Sequence, residues 1–580
     1  MKKFSKAQEF LFNNLIKERK SPCFEVRSSQ IQILKDPVDY YLALHKLAKQ
    51  SELRISMSAL YMGTGNLEKY LVERLDKKLE TSPNLKMNIL MDYMRGTRIV
   101  SKDNSSSFEL MRGLKEKHVH RGDKLRIGFW HHPDTGFWKG KMMAGPLREI
   151  FGVHHIKAHV FDHNVVITGA NLSEDYFTDR QDRCYVINDC EPLANYFDDL
   201  IGILTDCSYN VTENGTLDML PQYPEPHRKP KDFKNQMSHH LRFLRFQHRT
   251  QIPTNEELTI EDFFAEDKPK NKNEEDVVLI DSKSKSRPFK QSSEVDQTNQ
   301  NLNLKTQDTK SSQAEAEASL AAEEQVLIQN TLLSDEYILN KIVQINKKNT
   351  QVEQDDGRVF IFPTLQMNVI DYREDENLFL GLLKYYSQPN NNLKHIQLAT
   401  GYLNLQKEFL QILNQHKNLI TDLLTSSPRA NGFYKAGKFK KFIPGMYRAN
   451  ELSILKQNKN NQNIKIHEWE MGEWTYHAKG AWFYENESTS DSKRVDDTSD
   501  LPVMTVIGSS NYSARSNRRD TEAQLYIVSD CLSFRKKMKE ESDHLFKNSK
   551  QVSINHILKE DEDKLNWKEK LLAKLLNKLL

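Results

Sequence analysis

The chain has 580 residues, of which 38% are hydrophobic and 28% are charged. Its 83 Lys and Arg residues against 80 Asp and Glu residues leave a net charge of +3, which argues against a protein whose main task is to grip a nucleic-acid backbone. The 5 cysteines form no CxxC spacing, so the sequence indicates neither a disulfide scaffold nor a zinc cluster.

The N-terminal segment, residues 1–30, is basic and has the apolar spacing of an amphipathic helix. Two interpretations fit this pattern, a targeting sequence and an ordinary first helix. Glu9 and Glu18 count against a transit peptide, because such peptides avoid acidic residues. The chain contains no run of about 18 apolar residues, so its sequence predicts no membrane-spanning helix.

Strand-like and helix-like segments alternate in two blocks, residues 31–215 and 358–548, and this alternation is typical of layered α/β domains. Residues 216–357, between the blocks, combine helical flanks with a polar stretch at about 268–325 that is too poor in apolar residues to fold. The last segment, 549–580, ends in an amphipathic helix with Leu and Trp on one side and Lys on the other. Such a helix suits a membrane interface or docking on its own domain.

An internal repeat contains the residues that could take part in catalysis: a histidine, a lysine, an asparagine and an acid, in this order. Its members are His155, Lys157, Asn171 and Asp182 in the first block, and His477, Lys479, Asn511 and Glu522 in the second. The acid lies 11 residues after the asparagine in both copies. Because alternate residues of a strand face the same side, each histidine and its lysine are expected to project together. A lone H-x-K is common by chance, whereas the ordered set in both halves is specific.

These residue types suit the chemistry of a phosphodiester. One imidazole can attack phosphorus to form a phospho-histidine, and the other can protonate the leaving oxygen and then deprotonate an incoming hydroxyl. The lysines and asparagines, with Ser509 beside Asn511, can hold the non-bridging oxygens. Asp182 and Glu522 can fix the histidine tautomers. Since the lysines already supply cations, we expect no metal and no cofactor to be required.

The first copy resembles the phospholipase D superfamily, whose motif is H-x-K-x4-D. The second copy departs from it, because Tyr484 stands where the motif has aspartate. The resemblance implies two phospholipase D-like α/β domains, each a mixed sheet flanked by helices, related by a pseudo-twofold axis and separated by the disordered insert. The residues that it implies to be catalytic are His155, Lys157, Asp162, His477 and Lys479, with a merely supporting role left open for Asp162.

Several strings are similar to a narrower family, the eukaryotic mitochondrial CDP-diacylglycerol–glycerol-3-phosphate 3-phosphatidyltransferases. They include MDYMRGTR (91–98), TSSPRANGFY (425–434), WTYHAKGAWFY (474–484) and IGSSNYSARSNRRDTEAQ (507–524). The resemblance implies transfer of the phosphatidyl group from CDP-diacylglycerol to sn-glycerol 3-phosphate, the first step toward phosphatidylglycerol and cardiolipin. It also implies a mitochondrial protein that lies peripherally on the inner membrane, contacts anionic lipids and binds no nucleic acid. Family precedent makes His155 the nucleophile, which the residues alone leave open.

Three further groups are candidate binding residues. Arg95 and Arg98 follow a strand end, where they could hold glycerol 3-phosphate or be solvated surface. At least one arginine between Asn511 and Glu522 is expected near the cleft. Another strand-to-helix turn could contact a nucleotide through its backbone N–H groups or be a plain turn. That turn consists of Ser58, Ala59, Leu60, Tyr61, Met62, Gly63, Thr64 and Gly65.

Other functions remain open alternatives at this point. A cardiolipin synthase or a phospholipase D-type phosphodiesterase would use the same cleft on another acceptor. A nuclease fits poorly with the balanced charge. A catalytically silent membrane-binding scaffold predicts a broken set of residues, whereas both copies of the repeat are complete.

Overall fold

The computed structural model describes residues 4–19, 21–99, 105–135, 152–250, 356–388, 393–417, 419–434, 443–485 and 500–561. The expected disordered insert and the Leu- and Lys-rich end of the chain lie outside these residues. A helical flank before the insert is present as Pro230–Gln247.

The described residues contain strands that fall into two large sheets and one short pair. In chain order they are β1 Phe24–Arg27, β2 Ile31–Leu34, β3 Arg54–Ala59, β4 Lys86–Asp92, β5 Leu125–Trp130, β6 Ala158–Phe161, β7 Asn164–Thr168, β8 Arg180–Gln181, β9 Cys184–Ile187, β10 Tyr209–Val211, β11 Leu217–Met219, β12 Arg358–Met367, β13 Tyr372–Arg373, β14 Leu393–Ala399, β15 Ile420–Ser426, β16 Ile464–Trp469, β17 Thr475–Tyr476, β18 Gly480–Glu485, β19 Met504–Gly508, β20 Glu522–Val528 and β21 Ser549–Val552.

The helices lie between these strands and cover the faces of the sheets. The α-helices are α1 Lys6–Leu11, α2 Pro37–Gln50, α3 Asn66–Thr81, α4 Tyr93–Gly96, α5 Ser107–Lys117, α6 Glu174–Thr178, α7 Glu191–Asp206, α8 Pro230–Gln247, α9 Glu374–Tyr386, α10 Lys407–Gln415, α11 Ile443–Gln457, α12 Ala514–Arg518, α13 Leu532–Lys547 and α14 Ile554–Asp561. A π-helix, Phe12–Lys17, follows α1, and short 3-10 turns lie at Ser28–Gln30, Val119–Lys124, Pro133–Thr135 and Asn368–Ile370. Within the described residues, no helix is long and apolar enough to cross a bilayer.

The two large sheets repeat one topology. The first has the order β11-β10-β5-β4-β3-β6-β7-β9-β2, and the second has the order β1-β12-β20-β19-β18-β14-β15-β16-β21. In the first, β3, β4 and β5 are parallel and the strands from β6 onward are antiparallel; in the second, β14, β15 and β16 are parallel and β18, β19 and β20 are antiparallel. The internal repeat of the sequence is therefore also a repeat of the fold.

One hydrophobic core joins the two halves. It contains inward-facing residues of both sheets, such as Val165 and Ile167 from β7 and Ile507 from β19, together with the buried face of α7. Burial of this continuous apolar surface favours the association of the halves, because apolar area removed from water contributes roughly 25 cal/mol per Å².

The N-terminal segment belongs to the second half of the fold. Strand β1 pairs antiparallel with β12, and the backbone N–H groups of Lys6 and Ala7 donate to the Glu485 carboxylate at 2.8 and 2.9 Å. An acidic group at a helix N-terminus is favourable, because it meets the unpaired N–H groups of the first turn. The apolar residues of this segment lie in the core of the second sheet: Phe4, Ala7, Phe10, Leu11, Phe12, Leu15 and Ile16. This packing agrees with the interpretation as an ordinary first helix.

Candidate active site

Each histidine segment is hydrogen-bonded to the other half of the chain. The N–H of His155 donates to the carbonyl of Thr521, and the N–H of Thr521 donates to the carbonyl of Val153, both at 2.9 Å. In the matching contact, the N–H of His477 donates to the carbonyl of Gln181 at 2.8 Å, beside the parallel pair β8–β17. Thr521 and Gln181 each precede the acid of the repeat. The backbone therefore brings each histidine beside the acid of the opposite half.

The histidine–carboxylate pairs are accordingly crossed. His155 Nδ1 lies 2.9 Å from Glu522 Oε2, and His477 Nδ1 lies 2.7 Å from Asp182 Oδ2. A carboxylate at Nδ1 fixes the ring tautomer that leaves Nε2 with its lone pair. The sequence predicts that Asp182 and Glu522 orient the histidines, and the structure assigns each acid to the ring of the other half.

Two buried lysines stand in equivalent positions of the cleft. Lys157 Nζ donates to the carbonyl of His155, and Lys479 Nζ donates to the carbonyl of His477, each at 2.8 Å. Lys479 Nζ also lies 3.7 Å from Asp182 Oδ2. Burial lowers the pKa of Lys157 to about 7 and that of Lys479 to about 8. An anion bound between the lysines would offset this desolvation and favour their charged forms.

Burial also controls the ionisation of the histidine pairs. It lowers the pKa of both His155 and His477 well below the usual value for histidine. It raises the pKa of Glu522 to about 7 and that of Asp182 to about 6. The cleft therefore holds neutral imidazoles at neutral pH, and a neutral imidazole is the form that attacks phosphorus or accepts a proton.

The two histidines differ at Nε2. His477 Nε2 lies 3.4 Å from the Tyr176 hydroxyl and 3.2 Å from Lys479 Nζ, and the ring of Tyr402 packs edge-on against it at 5.4 Å between centroids. Among the residues placed by the structure, no hydrogen-bond partner faces Nε2 of His155. The lone pair on Nε2 of His155 therefore has fewer competing contacts than the lone pair on Nε2 of His477.

The asparagines of the repeat keep hydrogen-bonding capacity. Asn171 Nδ2 donates to the Tyr176 hydroxyl at 3.1 Å. The side-chain oxygens of Asn171 and Asn511 are buried and have no hydrogen-bond partner among the described residues. Buried polar groups are normally satisfied, so these two oxygens are suited to accept a ligand's hydroxyl or N–H, whereas a phosphate oxygen would need the Nδ2 donor of each amide.

For Ser509 the structure favours a contact other than the predicted one with substrate. Ser509 is fully buried, and its hydroxyl accepts the N–H of Ala523 at 3.2 Å and lies 3.4 Å from the carbonyl of Ala523. Ser509 and Ser516 also favour the ionised form of Glu522, which lowers the pKa of that carboxyl against the effect of burial. Ser509 therefore lies beside the carboxylate that orients His155.

For Asp162 the structure favours the supporting role over the catalytic role that the motif implies. Asp162 lies in the turn between β6 and β7, at the opposite end of β6 from Lys157. Its carboxylate accepts the backbone N–H groups of Glu52, Leu53 and Arg54 at 2.8, 2.8 and 3.0 Å. Its φ of 52° lies in the left-handed region, which aspartate tolerates better than most residues. Asp162 stabilises a tight turn and joins it to the start of β3.

Tyr484 occupies the equivalent position in the second half, where there is no tight turn. Strand β18 continues through Tyr484, which pairs with His395, and β19 begins only at Met504. The Tyr484 hydroxyl donates to Gln397 Oε1 at 2.5 Å. An aspartate is unnecessary here because the strand does not reverse, which explains the departure from the motif.

Arg95 and Arg98 follow the carboxyl end of β4. The Arg95 guanidinium lies 4.8 Å above the ring of Tyr61, and its backbone N–H donates to the Asp92 carboxylate at 2.8 Å. Burial and the neighbouring charge of Arg95 lower the pKa of Arg98 to about 10. Charges on Arg95 and Arg180 both act on the hydroxyl of Tyr402, whose ring packs on His477.

The segment 58–65 is a strand-to-helix turn whose helix end is already filled. Ser58 Oγ lies 2.7 Å from Nε2 of His154, the residue before His155. The Glu68 carboxylate folds back over the start of α3 and accepts the N–H of Glu174 at 2.7 Å. A Cβ at Gly63 would lie only 2.0 Å from Glu68 Oε1. Because this carboxylate occupies the N-terminal turn, the arrangement favours the plain turn over a phosphate cradle.

Sequence reasoning missed three residues beside His477: Tyr176, Tyr402 and Arg180. Arg180 stands two residues before Asp182, and Asp520 stands two residues before Glu522. Aligning the two copies of the repeat would have marked this pair of positions. The expected arginine of the second half is Arg515, whose charge acts on His155.

Comparison with known proteins shows which enzymes the chain resembles. No family model matches the chain. It is 27% identical over 538 residues to the probable CDP-diacylglycerol–glycerol-3-phosphate 3-phosphatidyltransferase of Dictyostelium discoideum, covering 92% of this chain and 75% of the relative. It is 26% identical over 537 residues to the mitochondrial enzyme of that name from Gallus gallus, covering 90% and 79%. The chain is therefore similar to these phosphatidyltransferases over most of its length.

The solved structures support the same fold. Phosphatidylserine synthase of Haemophilus influenzae superposes with a TM-score of 0.60 at 16% identity, and the match covers 99% of each chain. The predicted architecture of two α/β halves, each a mixed sheet flanked by helices, is confirmed. The resemblance to the phosphatidyltransferase family that the motifs indicate is confirmed as well.

Proposed function

We propose that this chain transfers the phosphatidyl group from CDP-diacylglycerol to sn-glycerol 3-phosphate, giving phosphatidylglycerophosphate and CMP. The crossed pairs His155–Glu522 and His477–Asp182, with a buried lysine beside each, carry the proposal. Two oriented neutral imidazoles in one cleft provide both a nucleophile and an acid–base group for phosphoryl chemistry. Similarity over 92% of the chain to enzymes named for this reaction supports the choice of substrates.

In the first step, Nε2 of His155 attacks the phosphorus on the diacylglycerol side of CDP-diacylglycerol. The bond from this phosphorus to the bridging oxygen breaks, and CMP departs with that oxygen. His477 protonates it with an Nε2 proton that the ring takes up when the anionic donor binds beside it, because a nearby negative charge raises the pKa of an imidazole. Lys157, Lys479 and the amides of Asn171 and Asn511 hold the non-bridging oxygens, where negative charge develops. The product is a phosphatidyl-histidine.

In the second step, the primary hydroxyl of glycerol 3-phosphate attacks the same phosphorus. His477 takes the hydroxyl proton, the phosphorus–nitrogen bond to His155 breaks, and phosphatidylglycerophosphate leaves. His155 is assigned as the nucleophile because its Nε2 is the less engaged of the two, whereas Nε2 of His477 already faces the hydroxyl of Tyr176.

The reaction is proposed to need no metal or other cofactor, because Lys157 and Lys479 supply cations at the phosphate oxygens. Full turnover in EDTA is the expected result. Activity that disappears in EDTA and returns with a divalent cation would contradict this part of the proposal.

Removal of each histidine is expected to block a different step of the reaction. CMP is a good leaving group, since the second pKa of a phosphate monoester is about 6, and its departure depends little on an acid. The glycerol 3-phosphate hydroxyl is far less acidic and depends on a base. His477→Ala should therefore release CMP in a burst of about one per enzyme and then stall with loss of about 10²–10⁴-fold in turnover, the usual effect of a lost acid–base group.

The decisive experiment measures CMP release and lipid-soluble label from labelled glycerol 3-phosphate, in detergent with EDTA. Wild type should give both products, His155→Ala neither, and His477→Ala the CMP burst with acid-labile label from CDP-diacylglycerol on the protein. Phosphatidate or CMP without transfer to glycerol 3-phosphate would favour a phosphodiesterase. Full activity of both variants would refute the two-histidine mechanism.

The site of action is proposed to be the surface of a mitochondrial membrane, with the chain peripheral on the inner membrane. The donor carries two acyl chains and resides in a bilayer, and the Gallus gallus relative is named mitochondrial. Co-sedimentation with vesicles of phosphatidylcholine alone and with added cardiolipin tests the expected preference for anionic lipid. Fractionation of mitochondria, with carbonate extraction, tests the location and the peripheral attachment.

A further inference from the structure

The two halves carry an ion pair at the same place in the repeat, with its charges exchanged. Asp175 and Arg180 lie four and nine residues after Asn171, and Arg515 and Asp520 lie four and nine residues after Asn511. Arg180 Nη2 lies 2.8 Å from Asp175 Oδ2, and Arg515 Nε lies 3.2 Å from Asp520 Oδ2. The ion pair is preserved between the halves, but its polarity is reversed.

In both halves the residue at the ninth position is the inner one. The side chain of Arg180 is 13% exposed against 56% for Asp175, and that of Asp520 is 5% exposed against 24% for Arg515. Arg180 Nε donates to the hydroxyl of Thr475, two residues before His477, at 2.9 Å. The inner position thus faces the His477 segment with a cation.

The same position in the other half faces the His155 segment with an anion. Asp520 Oδ1 accepts the N–H of Val153, two residues before His155, at 3.0 Å. The cleft is therefore electrostatically polar along the line between its histidines, although its backbone is nearly symmetric. Arg180 lies 4.8 Å above the ring of Tyr176, and the charges of Arg180 and Arg95 both act on Tyr402, whose ring packs on His477.

The reaction requires this kind of polarity. In an in-line displacement at phosphorus, the leaving group departs and the acceptor enters on the side opposite the nucleophile. Both departing CMP and entering glycerol 3-phosphate carry a phosphate monoester with a charge of about −1.5 to −2 at neutral pH. A guanidinium matches such a group by paired, charge-assisted hydrogen bonds.

We propose that Arg180 determines acceptor specificity by binding the phosphate monoester of glycerol 3-phosphate on the His477 side, with Arg95 and Arg98 extending the same subsite. This inference rests on the proposed function and adds the residue that distinguishes a phosphorylated acceptor from a neutral alcohol. Asp520 disfavours the same dianion on the His155 side, so the substrates bind in one direction only.

The test compares Arg180→Gln and Arg180→Lys with wild type, using glycerol 3-phosphate and glycerol as acceptors. Loss of charge-assisted hydrogen bonds predicts that Arg180→Gln raises KM for glycerol 3-phosphate about 10- to 100-fold, with a smaller rise in Arg180→Lys. The preference for glycerol 3-phosphate over glycerol should fall by a similar factor. An unchanged preference in Arg180→Gln would overturn the inference.

A charge-exchanged variant distinguishes the effect of a cation at position 180 from the effect of the ion pair itself. Asp175→Arg combined with Arg180→Asp copies the second half and keeps the pairing, so its thermal stability should stay close to that of wild type while the acceptor preference is lost. Arg518→Gln is the matched control, since its guanidinium is 57% exposed and pairs with Glu408. Retained preference in the exchanged variant would show that only the ion pair matters and would contradict the proposal.

A binding measurement keeps this test independent of turnover. Calorimetric titration of glycerol 3-phosphate into His155→Ala should give a Kd that rises about 10- to 100-fold when Arg180→Gln is added. Equal Kd values would overturn the subsite even if the phosphatidyl transfer itself is verified. A wild type that binds glycerol 3-phosphate through Arg180 but transfers nothing to it would instead contradict the proposed function alone.

Discussion

Asp162 matches the motif in sequence, but its contacts are structural. Its carboxylate accepts three backbone N–H groups in a turn with positive φ, at the far end of β6 from the lysine of its motif. Asp162→Ala should lower the free energy of unfolding by about 1–3 kcal/mol, because three backbone N–H groups lose a charged acceptor. The kcat at a permissive temperature should remain near that of wild type. Thermal denaturation and CMP release measure both quantities.

Asp162→Asn is the matched control for this prediction. Asparagine keeps one acceptor oxygen and tolerates positive φ, so its loss of stability should be smaller than that of alanine. A large fall in kcat in both variants, at a temperature where both are folded, would return Asp162 to the catalytic residues.

The ionisable residues of the cleft predict a bell-shaped pH dependence of kcat/KM. The pKa values of Asp182 and Glu522 are raised to about 6 and 7, so acidification protonates the carboxyls that fix the histidine tautomers. The pKa values of Lys157 and Lys479 are lowered to about 7 and 8, so the free enzyme loses these cations as the pH rises through that range. Activity should therefore fall on both sides of neutrality.

Glu522→Gln checks the acidic limb of the pH profile. The variant should lose about 100-fold or more in kcat, as enzymes do when a tautomer-fixing carboxylate is removed. Its remaining acidic limb should shift toward the lower pKa of Asp182. A limb that stays in place in Glu522→Gln would show that another group controls it.

At this scale the sequence predicts which residues lie in the cleft but not how they pair. The order histidine, lysine, asparagine, acid marks the set because phosphodiester chemistry needs each type. It does not reveal that His155 pairs with Glu522, since spacing along the chain does not specify which half folds beside which. The hydroxyl of Ser509 is ambiguous for a similar reason: a serine next to a motif asparagine is equally suited to bind a carboxylate.

At the scale of the elements, a buried ion pair joins the strand after Asp182 to α13. Arg183 Nε and Nη2 both donate at 2.8 Å to the Glu541 carboxylate, and Arg183 lies 4.1 Å above the ring of Trp482. Gly480 makes room for this arginine, because a Cβ there would lie 1.8 Å from Arg183 Nη1. The pair fixes the backbone beside both Asp182 and Lys479.

Breaking this pair should be more costly than replacing it. Glu541→Leu should destabilise the chain by about 3–5 kcal/mol, because it leaves a buried charge without its partner. The combination Arg183→Met with Glu541→Leu should cost less than the sum of the single variants. Denaturant unfolding of all four chains measures the coupling, and strictly additive effects would contradict it.

The N-terminal helix is a second element, and its packing favours an ordinary first helix. Phe10 is 5% exposed and packs against Tyr385, with ring centroids 5.2 Å apart. Phe10→Ala should lower the free energy of unfolding by about 3–5 kcal/mol, the usual range for a buried phenylalanine. The exposed Asn13→Ala, in the adjoining π-helix, should have little effect. Equal thermal stability of both variants would favour a segment that does not pack on the fold.

The sequence predicts the alternation of strands and helices because hydrophobic periodicity is local. It does not predict that β1, ahead of the first block, pairs with β12 of the second sheet, because a four-residue strand contains too little pattern to specify a distant partner. The same limit applies to β8 and β17, two residues each, which nevertheless place both His477 and Asp182.

For the whole molecule, the crossed pairing makes each half incomplete. The first half supplies His155 but depends on Glu522, and the second supplies His477 but depends on Asp182. The sequence predicts that both copies of the repeat share one cleft, and the fold adds that the acid of each copy orients the histidine of the other. A substitution of either acid should therefore slow the same reaction step as a substitution of the histidine in the opposite half.

This expectation gives a test that local effects cannot mimic. Asp182→Asn should resemble His477→Ala, with the CMP burst kept and transfer to glycerol 3-phosphate slowed, because the base of the second step loses its orientation. Glu522→Gln should resemble His155→Ala, with the burst itself slowed, because the nucleophile loses its tautomer control. Rapid-quench measurement of CMP separates the two classes. If each acid variant instead matched the histidine of its own half, the crossed geometry would not be the arrangement that acts in catalysis.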